Sequence, residues 1–340
     1  MRALLLTARG SLGAALSDVP RPVPAQGQVL VRMLAASVNR VDLYMRDNGA
    51  GITHSLPQIM GIDGVGEVAE APEGSQFAPG DRVILYPYEF CGKCRYCLAG
   101  DQPLCISAKI FGEHRDGTIA QYIAVPETAL LPISDSVDVE AAATIGVAYL
   151  TAWRMVFGKV PLAPGATVLV QGAGGGVSYA AAQLARVAGA RVILTTTGAT
   201  KLAHFRDQGF EVIDYADAAS SKAVLTLTGG EGVDMVVDNV GAATWDQSLR
   251  SLRRGGSIVT CGATTGSAPS ADLQRMFIRQ LSVHGSTMGS VSEFRQLIAT
   301  FEAGAIRPPI DSVYPLERAA EALNRLSHPD RLGKVVIRIA

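Results

Sequence analysis

From the start of the chain to about residue 130, apolar positions fall in short runs broken by Gly, Pro and Asp. VLVRMLAASVN (29–39), GVGEVAEA (64–71), DRVILYP (81–87) and AQYIAVP (120–126) are rich in Val and Ile and read as short strands. This half predicts a small, mostly β domain. From about 138 the rhythm changes. VEAAATIGVAYLTAWRMVF is helical in composition, and strands then alternate with helical stretches: TVLVQG (167–172), RVILTTT (191–197), EVIDY (211–215), VDMVVDNV (233–240), GSIVTCG (256–262) and LSVHGST (281–287). Six short apolar strands with helical crossovers predict a doubly wound parallel sheet, so the fold class is α/β. The tail carries two helical stretches and the strands DSVYPL and KVVIRI, whose ends suggest a return to the first domain.

Glycines open into an Ala-rich helix after TVLVQG, in AGGGVSYAAAQLARVAG. A dinucleotide pyrophosphate needs such a turn, because glycines admit backbone N–H groups to it and the helix N-terminus favours its charge. The fingerprint is imperfect. Gly172 and Gly174 fit its first two positions, but Val177 stands at the third; a one-residue shift gives Ala173, Gly175 and Ser178. An ordinary Gly-rich turn is the bland alternative, and the strand–turn–helix setting favours dinucleotide binding through Ala173, Gly174, Gly175, Gly176 and Val177. At the end of the second strand an NAD site usually offers a carboxylate to the ribose hydroxyls. Here Thr195, Thr196, Thr197 and Gly198 stand there, with Lys201 beyond. Hydroxyls and an ammonium suit a 2′-phosphate, so NADPH is favoured over NADH, although Lys201 also reads as a solvated lysine. Tyr215, Asn239, Gly262, Gly285 and Ser286 end successive strands, where doubly wound sheets bind ligands.

Composition adds exclusions. In 340 residues, 48% are hydrophobic and 18% charged, and the net charge is −1, so no basic field points to nucleic acid or an anionic membrane. MRALLLTARG has too short an apolar run for a signal peptide, and no apolar stretch reaches spanning length. A cytoplasmic protein is expected. In a reducing compartment clustered cysteines are metal ligands more often than disulfides. Four of the five cysteines lie in CGKCRYCLAGDQPLC: Cys91, Cys94, Cys97 and Cys105. Four thiolates on one turn-rich loop close a tetrahedron around Zn²⁺ and leave no open position, which predicts one structural zinc. Lys93 and Arg95 can offset the site's negative charge.

Together the four-cysteine loop, VLVQGAGGGV and the segments ASVNRVDLYMR, GIDGVGEV, FAPGDRV, GTIAQYIAVP, YLTAW, RRGGSIVTCG and LGKVVI resemble the medium-chain dehydrogenase/reductase superfamily over nearly the whole chain. The resemblance implies a GroES-like domain at 1–130 completed by 288–340, a Rossmann domain at 131–287, and a substrate cleft between them. It also implies a dimer or tetramer acting on a small molecule. In the superfamily's alcohol dehydrogenases a catalytic zinc is held by a Cys, a His–Glu pair and a further Cys or Asp. This chain has Asn39, Ile62–Asp63 and Val147 there. Ile and Val cannot ligate and Asn is a poor ligand, so a catalytic zinc is not expected. Asn39 instead resembles the quinone and enoyl reductase branches, which commonly lack the cysteine loop kept here.

The implied chemistry is hydride transfer from NADPH to a quinone or an α,β-unsaturated carbonyl without a catalytic metal. A zinc-type alcohol dehydrogenase or carbonyl reductase is one alternative, and a non-catalytic, crystallin-like NADPH-binding protein another. The protein must position the acceptor, stabilise the oxygen that gains charge and provide a proton. Asn39, Tyr44 and His114 are the candidates. Tyr44 also reads as a cleft-wall tyrosine, His114 as a loop histidine, Arg115 with Asp116 as an ion pair, and Asp42 as a turn cap. By resemblance, Thr151 touches the nicotinamide and Lys334 reaches the cofactor.

Overall fold

A computed structural model describes residues 1–49, 55–216 and 219–340. It divides into two compact units, Met1–Leu150 with Gly289–Ala340, and Thr151–Met288. The expected boundary near 130 is therefore corrected: the division falls about twenty residues later, inside the helical stretch. That stretch is not one uniform α-helix. It runs as α-helix Val139–Ala142, π-helix Ile145–Tyr149, α-helix Leu150–Trp153 and π-helix Arg154–Gly158. Single π turns of this kind widen a helix locally and concentrate at functional sites.

The first unit is built on the long strand Gln28–Val38, which is buried along most of its length. It pairs antiparallel with Asp63–Glu70 on one side, and with both Tyr122–Pro126 and the C-terminal strand Lys334–Arg338. Ile310–Pro315 runs parallel to Lys334–Arg338 at the sheet's edge. The tail thus returns to the first unit through main-chain hydrogen bonds. Near the C-terminal end of the long strand three chains converge in register: Ser37 faces Asp63 on one neighbour and Val336 on the other. Under this sheet Leu4, Leu6, Val38, Leu323, Val335 and Ile337 bury in one cluster, which joins the N-terminus to the C-terminal helix Ala319–Leu326.

One loop contact is made almost entirely of backbone. Gly112 and Gly117 face the Met60–Gly61 segment, and a Cβ on Gly117 would lie 2.2 Å from the Gly61 carbonyl oxygen. The Gly117 N–H donates to Ile59 O and the Thr118 N–H to Gly61 O. The loop 111–118 is thereby pinned against the start of the strand Asp63–Glu70.

The second unit is the expected six-stranded parallel sheet, in spatial order Glu211–Asp214, Arg191–Thr196, Thr167–Val170, Val233–Asp238, Leu252–Thr260 and Ser282–Gly285. Its central strands are buried on both faces, which is why they read as continuous apolar runs and not as alternating ones. The order reverses between Thr167–Val170 and Val233–Asp238, the switch point where such sheets bind ligands beyond their carboxyl ends. The Ser282–Gly285 edge is exposed, as are Leu273, Phe277 and Ile278 on the helix before it.

Gly117→Ala, which drives a Cβ into the Gly61 carbonyl with no side chain able to yield, is expected to cost about 1–3 kcal/mol of stability. Urea unfolding of the two proteins measures this.

Candidate functional site

The glycine turn is held from beneath by a buried polar network. Gln171 accepts from Thr195 Oγ1 (2.7 Å) through its carbonyl and donates from Nε2 to Ser248 Oγ (3.1 Å). Ser248 in turn donates to Asp238 (2.7 Å), whose carboxylate also takes the N–H groups of Val240 and Gly241 and the Thr244 hydroxyl. Asp238 is 1% exposed, so these donors replace the water it has lost. The Gly172 N–H donates to Thr195 Oγ1 and the Ala173 N–H to Thr195 O, fixing the turn to the second strand. Gly172 has φ 65°, a left-handed conformation that the tight turn demands.

This arrangement brings most of the predicted nucleotide residues together. Gly176 and Val177 open the helix Gly176–Val187 behind its N-cap Gly175. A Cβ on Gly174 would lie 3.1 Å from the Lys201 ammonium, so Lys201 reaches back over the turn. Thr196 is buried, Thr197 half-buried, and Gly198 caps the helix Ala199–Asp207 that carries Lys201. Half-exposed Tyr215 lines a groove of 470 Å³ with Gly172, Thr195, Val240 and Thr244. Asn239 accepts from Ser178 Oγ (3.2 Å). Gly262, Gly285 and Ser286 line a second groove of 460 Å³ with Trp245 and Cys261, and the buried Ser286 hydroxyl has no partner among the described residues. Thr151 is buried, its hydroxyl 3.7 Å from Met288 Sδ. An open glycine turn at a helix N-terminus, with an ammonium over it, fits a dinucleotide.

Lys334, expected to reach the cofactor, is bound up in contacts within its own unit. It lies in the first unit, 3% exposed, with its ammonium 2.5 Å from Asn39 Oδ1, 3.2 Å from Val38 O and 3.3 Å from Asp63 Oδ2. Burial pushes its pKa down, against the pull of Asp63. Asp63 Oδ2 also accepts from Ser37 Oγ (2.7 Å) and Asn39 Nδ2 (2.9 Å), while Asp63 Oδ1 is buried with no partner among the described residues. The helix passes close by: a Cβ on Gly146 would stand 2.7 Å from that orphan oxygen.

Asn39 is thus held at both ends of its amide, and its second Nδ2–H has no hydrogen-bond partner among the described residues. Asp42, at the third position of the helix Arg40–Asp47, accepts from the Asn39 N–H (2.7 Å), the capping role read from the sequence. It is 1% exposed, and burial foremost, with Asp63 adding repulsion, raises its carboxyl to about 7. Glu113, which sequence reasoning passed over, is 3% exposed and raised to about 7 by burial and by Asp42. No periodicity marks Glu113; the glycine-bounded loop that buries it is visible only in three dimensions.

The other two predicted catalytic residues lie apart in character. Tyr44 is half-buried on the same helix as Asp42. His114 is exposed on a groove of 710 Å³ lined also by Lys109, Phe111 and Tyr122, which Asn39 does not line. Its Nδ1 accepts from the Ile110 N–H (3.3 Å), and burial with the nearby Lys109 lowers its pKa. Arg115 pairs with Glu89 and not with Asp116, which instead accepts from Gln58 Nε2 and the Ile59 N–H.

The four cysteine sulfurs lie within 4.8 Å of one another. Contacts of 3.6 Å for Cys94–Cys97 and Cys91–Cys105, and 3.9 Å for Cys91–Cys97, match the edges of about 3.8 Å in a tetrahedron with ~2.3 Å Zn–S bonds. Backbone N–H groups of Lys93 and Cys94 lower the Cys91 thiol to about 6, while burial raises Cys97 to about 12. The loop fits a structural zinc with every coordination position filled by protein. The positions that hold a catalytic zinc in alcohol dehydrogenases do not fit one: Ile62 and Val147 are apolar and buried, and an ammonium already sits on Asn39 and Asp63.

A four-thiolate loop in the β-rich unit and a glycine turn that fits a dinucleotide in the doubly wound unit agree with a nicotinamide-dependent oxidoreductase. The comparisons agree. Residues 25–135 match the alcohol dehydrogenase GroES-like domain and residues 176–303 the zinc-binding dehydrogenase family. A zinc-type alcohol dehydrogenase-like protein of Schizosaccharomyces pombe is 33% identical over 92% of this chain and 91% of its own. An acryloyl-coenzyme A reductase of Metallosphaera sedula is 28% identical over 96% of both. A solved NAD-dependent alcohol dehydrogenase is 40% identical, with a TM-score of 0.96 over the full length of both chains. The chain belongs to the medium-chain dehydrogenase/reductase superfamily and is an oxidoreductase with a nicotinamide cofactor and a structural zinc.

The raised carboxyls set a pH dependence. A carboxyl raised in the folded state stabilises the fold below its unfolded value, near 4, and that contribution is lost as pH rises toward about 7. Stability is expected to fall across this window, and Asp42→Asn, which keeps the cap's acceptor oxygen, to flatten the slope. Urea midpoints of the two proteins at several pH values measure it.

Proposed function

We propose that this protein is an NADPH-dependent reductase of quinones or α,β-unsaturated carbonyl compounds that works without a catalytic metal. The observation that carries the reading is the Asp63–Lys334–Asn39 cluster, which fills with a protein cation and an amide the position where alcohol dehydrogenases keep a metal. Such acceptors need no Lewis acid, because conjugation spreads the developing charge onto an oxygen. A bound NADPH supplies the hydride. The remaining Asn39 N–H is the donor for that oxygen, supported in its orientation by Lys334 and Asp63, and Tyr44 contributes a second hydroxyl donor. The relative that reduces acryloyl-coenzyme A, an α,β-unsaturated thioester by name, supports the acceptor class.

For the cofactor, the Lys201 ammonium beside Gly174 and the hydroxyls of Thr196 and Thr197 supply the cation and donors that a 2′-phosphate requires. Thr151, Ala173, Tyr215, Asn239, Gly262, Gly285 and Ser286 line the rest of the nucleotide site in this reading. The exposed edge strand Ser282–Gly285, with Leu273 and Phe277 beside it, supports pairing of two copies edge to edge.

Incubation with NADPH and an enone is expected to give the saturated ketone; an unsaturated alcohol, or no product, would reject the reading. Lys201→Ala is expected to lower kcat/KM for NADPH by roughly 10–100-fold, the loss of one charge-assisted contact of about 1.5–3 kcal/mol, and to leave NADH little changed. Equal losses with both cofactors would overturn the role of Lys201.

A further inference from the structure

Three of the four buried side chains beneath the glycine turn could each place their protons in two ways, and the fourth decides for them. Asp238 is a carboxylate and only accepts. Ser248 Oγ, 2.7 Å away, therefore directs its proton to Asp238 Oδ2 and keeps its oxygen free to accept. The end of the Gln171 amide that faces Ser248 at 3.1 Å is then the N–H end, and its carbonyl faces Thr195. Thr195 donates to that carbonyl at 2.7 Å, so its Oγ1 receives the Gly172 N–H at 3.0 Å. The protons are thus ordered in one direction from the turn to Asp238. The Ala173 N–H on Thr195 O and the Gly175 N–H on Gly172 O complete the turn's shape from within.

Thr195, Gln171 and Asp238 stand at or just beyond the carboxyl ends of three neighbouring strands, Arg191–Thr196, Thr167–Val170 and Val233–Asp238. At the far end Asp238 Oδ1 accepts from the N–H groups of Val240 (2.9 Å) and Gly241 (3.1 Å), and Thr244 donates to both carboxylate oxygens. Gly172 and Thr195 line one part of the groove of 470 Å³, and Val240 and Thr244 another. The chain of bonds that joins these two parts passes through the Gln171 amide, which is 1% exposed.

We propose that Gln171 is the positioning residue of the dinucleotide site: acting through Thr195 and Ser248, its amide holds the glycine turn and the 240–244 segment at one separation and so sets the affinity for the cofactor. The inference rests on the reading of the glycine turn as the nucleotide site and is independent of the acceptor. A site whose parts are fixed beforehand binds more tightly than one that the ligand must order. The network ends on the turn and not on Lys201, so it acts on NADPH and NADH alike.

The test measures binding of NADPH and NADH, followed by cofactor fluorescence, and the thermal midpoint of each full-length protein. Gln171→Leu is expected to weaken both cofactors about tenfold, the scale of one net hydrogen bond. Gln171→Glu has the same shape but offers Ser248 an acceptor in place of a donor, and is expected to lose as much. Adding Asp238→Asn to it supplies that donor from the other side. Ser248 then donates to the new carboxylate at position 171 and accepts from the new amide at position 238, whose oxygen keeps the Val240 and Gly241 N–H groups. This double variant, with the protons running the opposite way, is expected to recover the affinity that Gln171→Glu lost. A purely structural role lowers the thermal midpoint and leaves both dissociation constants at their wild-type values. That result in folded Gln171→Leu would overturn the proposal, as would a double variant that binds no more tightly than either Gln171 variant alone. Should Gln171→Leu not fold, Ser248→Ala carries the test: weaker binding of both cofactors is expected, and unchanged binding rejects Gln171. Gly174→Val tests the underlying reading separately, since undiminished binding there means that the turn is not the nucleotide site.

Discussion

The buried contact between Asp63 and Lys334 is the constraint on which the first unit depends. It joins two strands far apart in sequence across the central strand Gln28–Val38, where Ser37 faces Asp63 and Val336 in register. Two charges removed from water are held with the help of Ser37 and Asn39, which donate to Asp63 Oδ2, and of Val38 O, which accepts from the Lys334 ammonium. Removing one partner from such a pair costs about 3–5 kcal/mol, since the other charge is left buried and uncompensated. The same contact clamps the Asn39 amide, so the interaction that closes the sheet also presents the candidate donor. Structure and chemistry are coupled through one carboxylate.

The nucleotide unit solves a similar problem with neutral groups. Its glycine turn must stay open for a ligand, so its rigidity comes from below, through Thr195, Gln171, Ser248 and Asp238. Each of these is buried with its partners present, which makes the network specific as well as affordable. Above it the turn presents backbone and the Lys201 ammonium.

Much of this was legible in the sequence because it rests on local signals. Six apolar runs separated by helical stretches gave the parallel sheet, and four cysteines on one loop gave the thiolate cluster. What the sequence did not reveal depends on distant segments meeting. The resemblance sent Lys334 toward the cofactor, and only the pairing of Lys334–Arg338 with Gln28–Val38 shows it enclosed. Glu113 sat unremarked between His114 and Gly112, because its burial comes from the Gly61 segment some fifty residues away. The two π segments in the long helix were also invisible, since their composition is ordinary helix composition and the close approach of Gly146 to Asp63 is tertiary.

The central claim is that this chain keeps its metal in the cysteine loop and a lysine where alcohol dehydrogenases keep a metal. Anomalous X-ray scattering at the zinc edge, from crystals grown with zinc supplied, tests it most directly. The account predicts one peak, at the centre of Cys91, Cys94, Cys97 and Cys105. A second peak beside Asn39 and Asp63, with the Lys334 ammonium displaced, would contradict it.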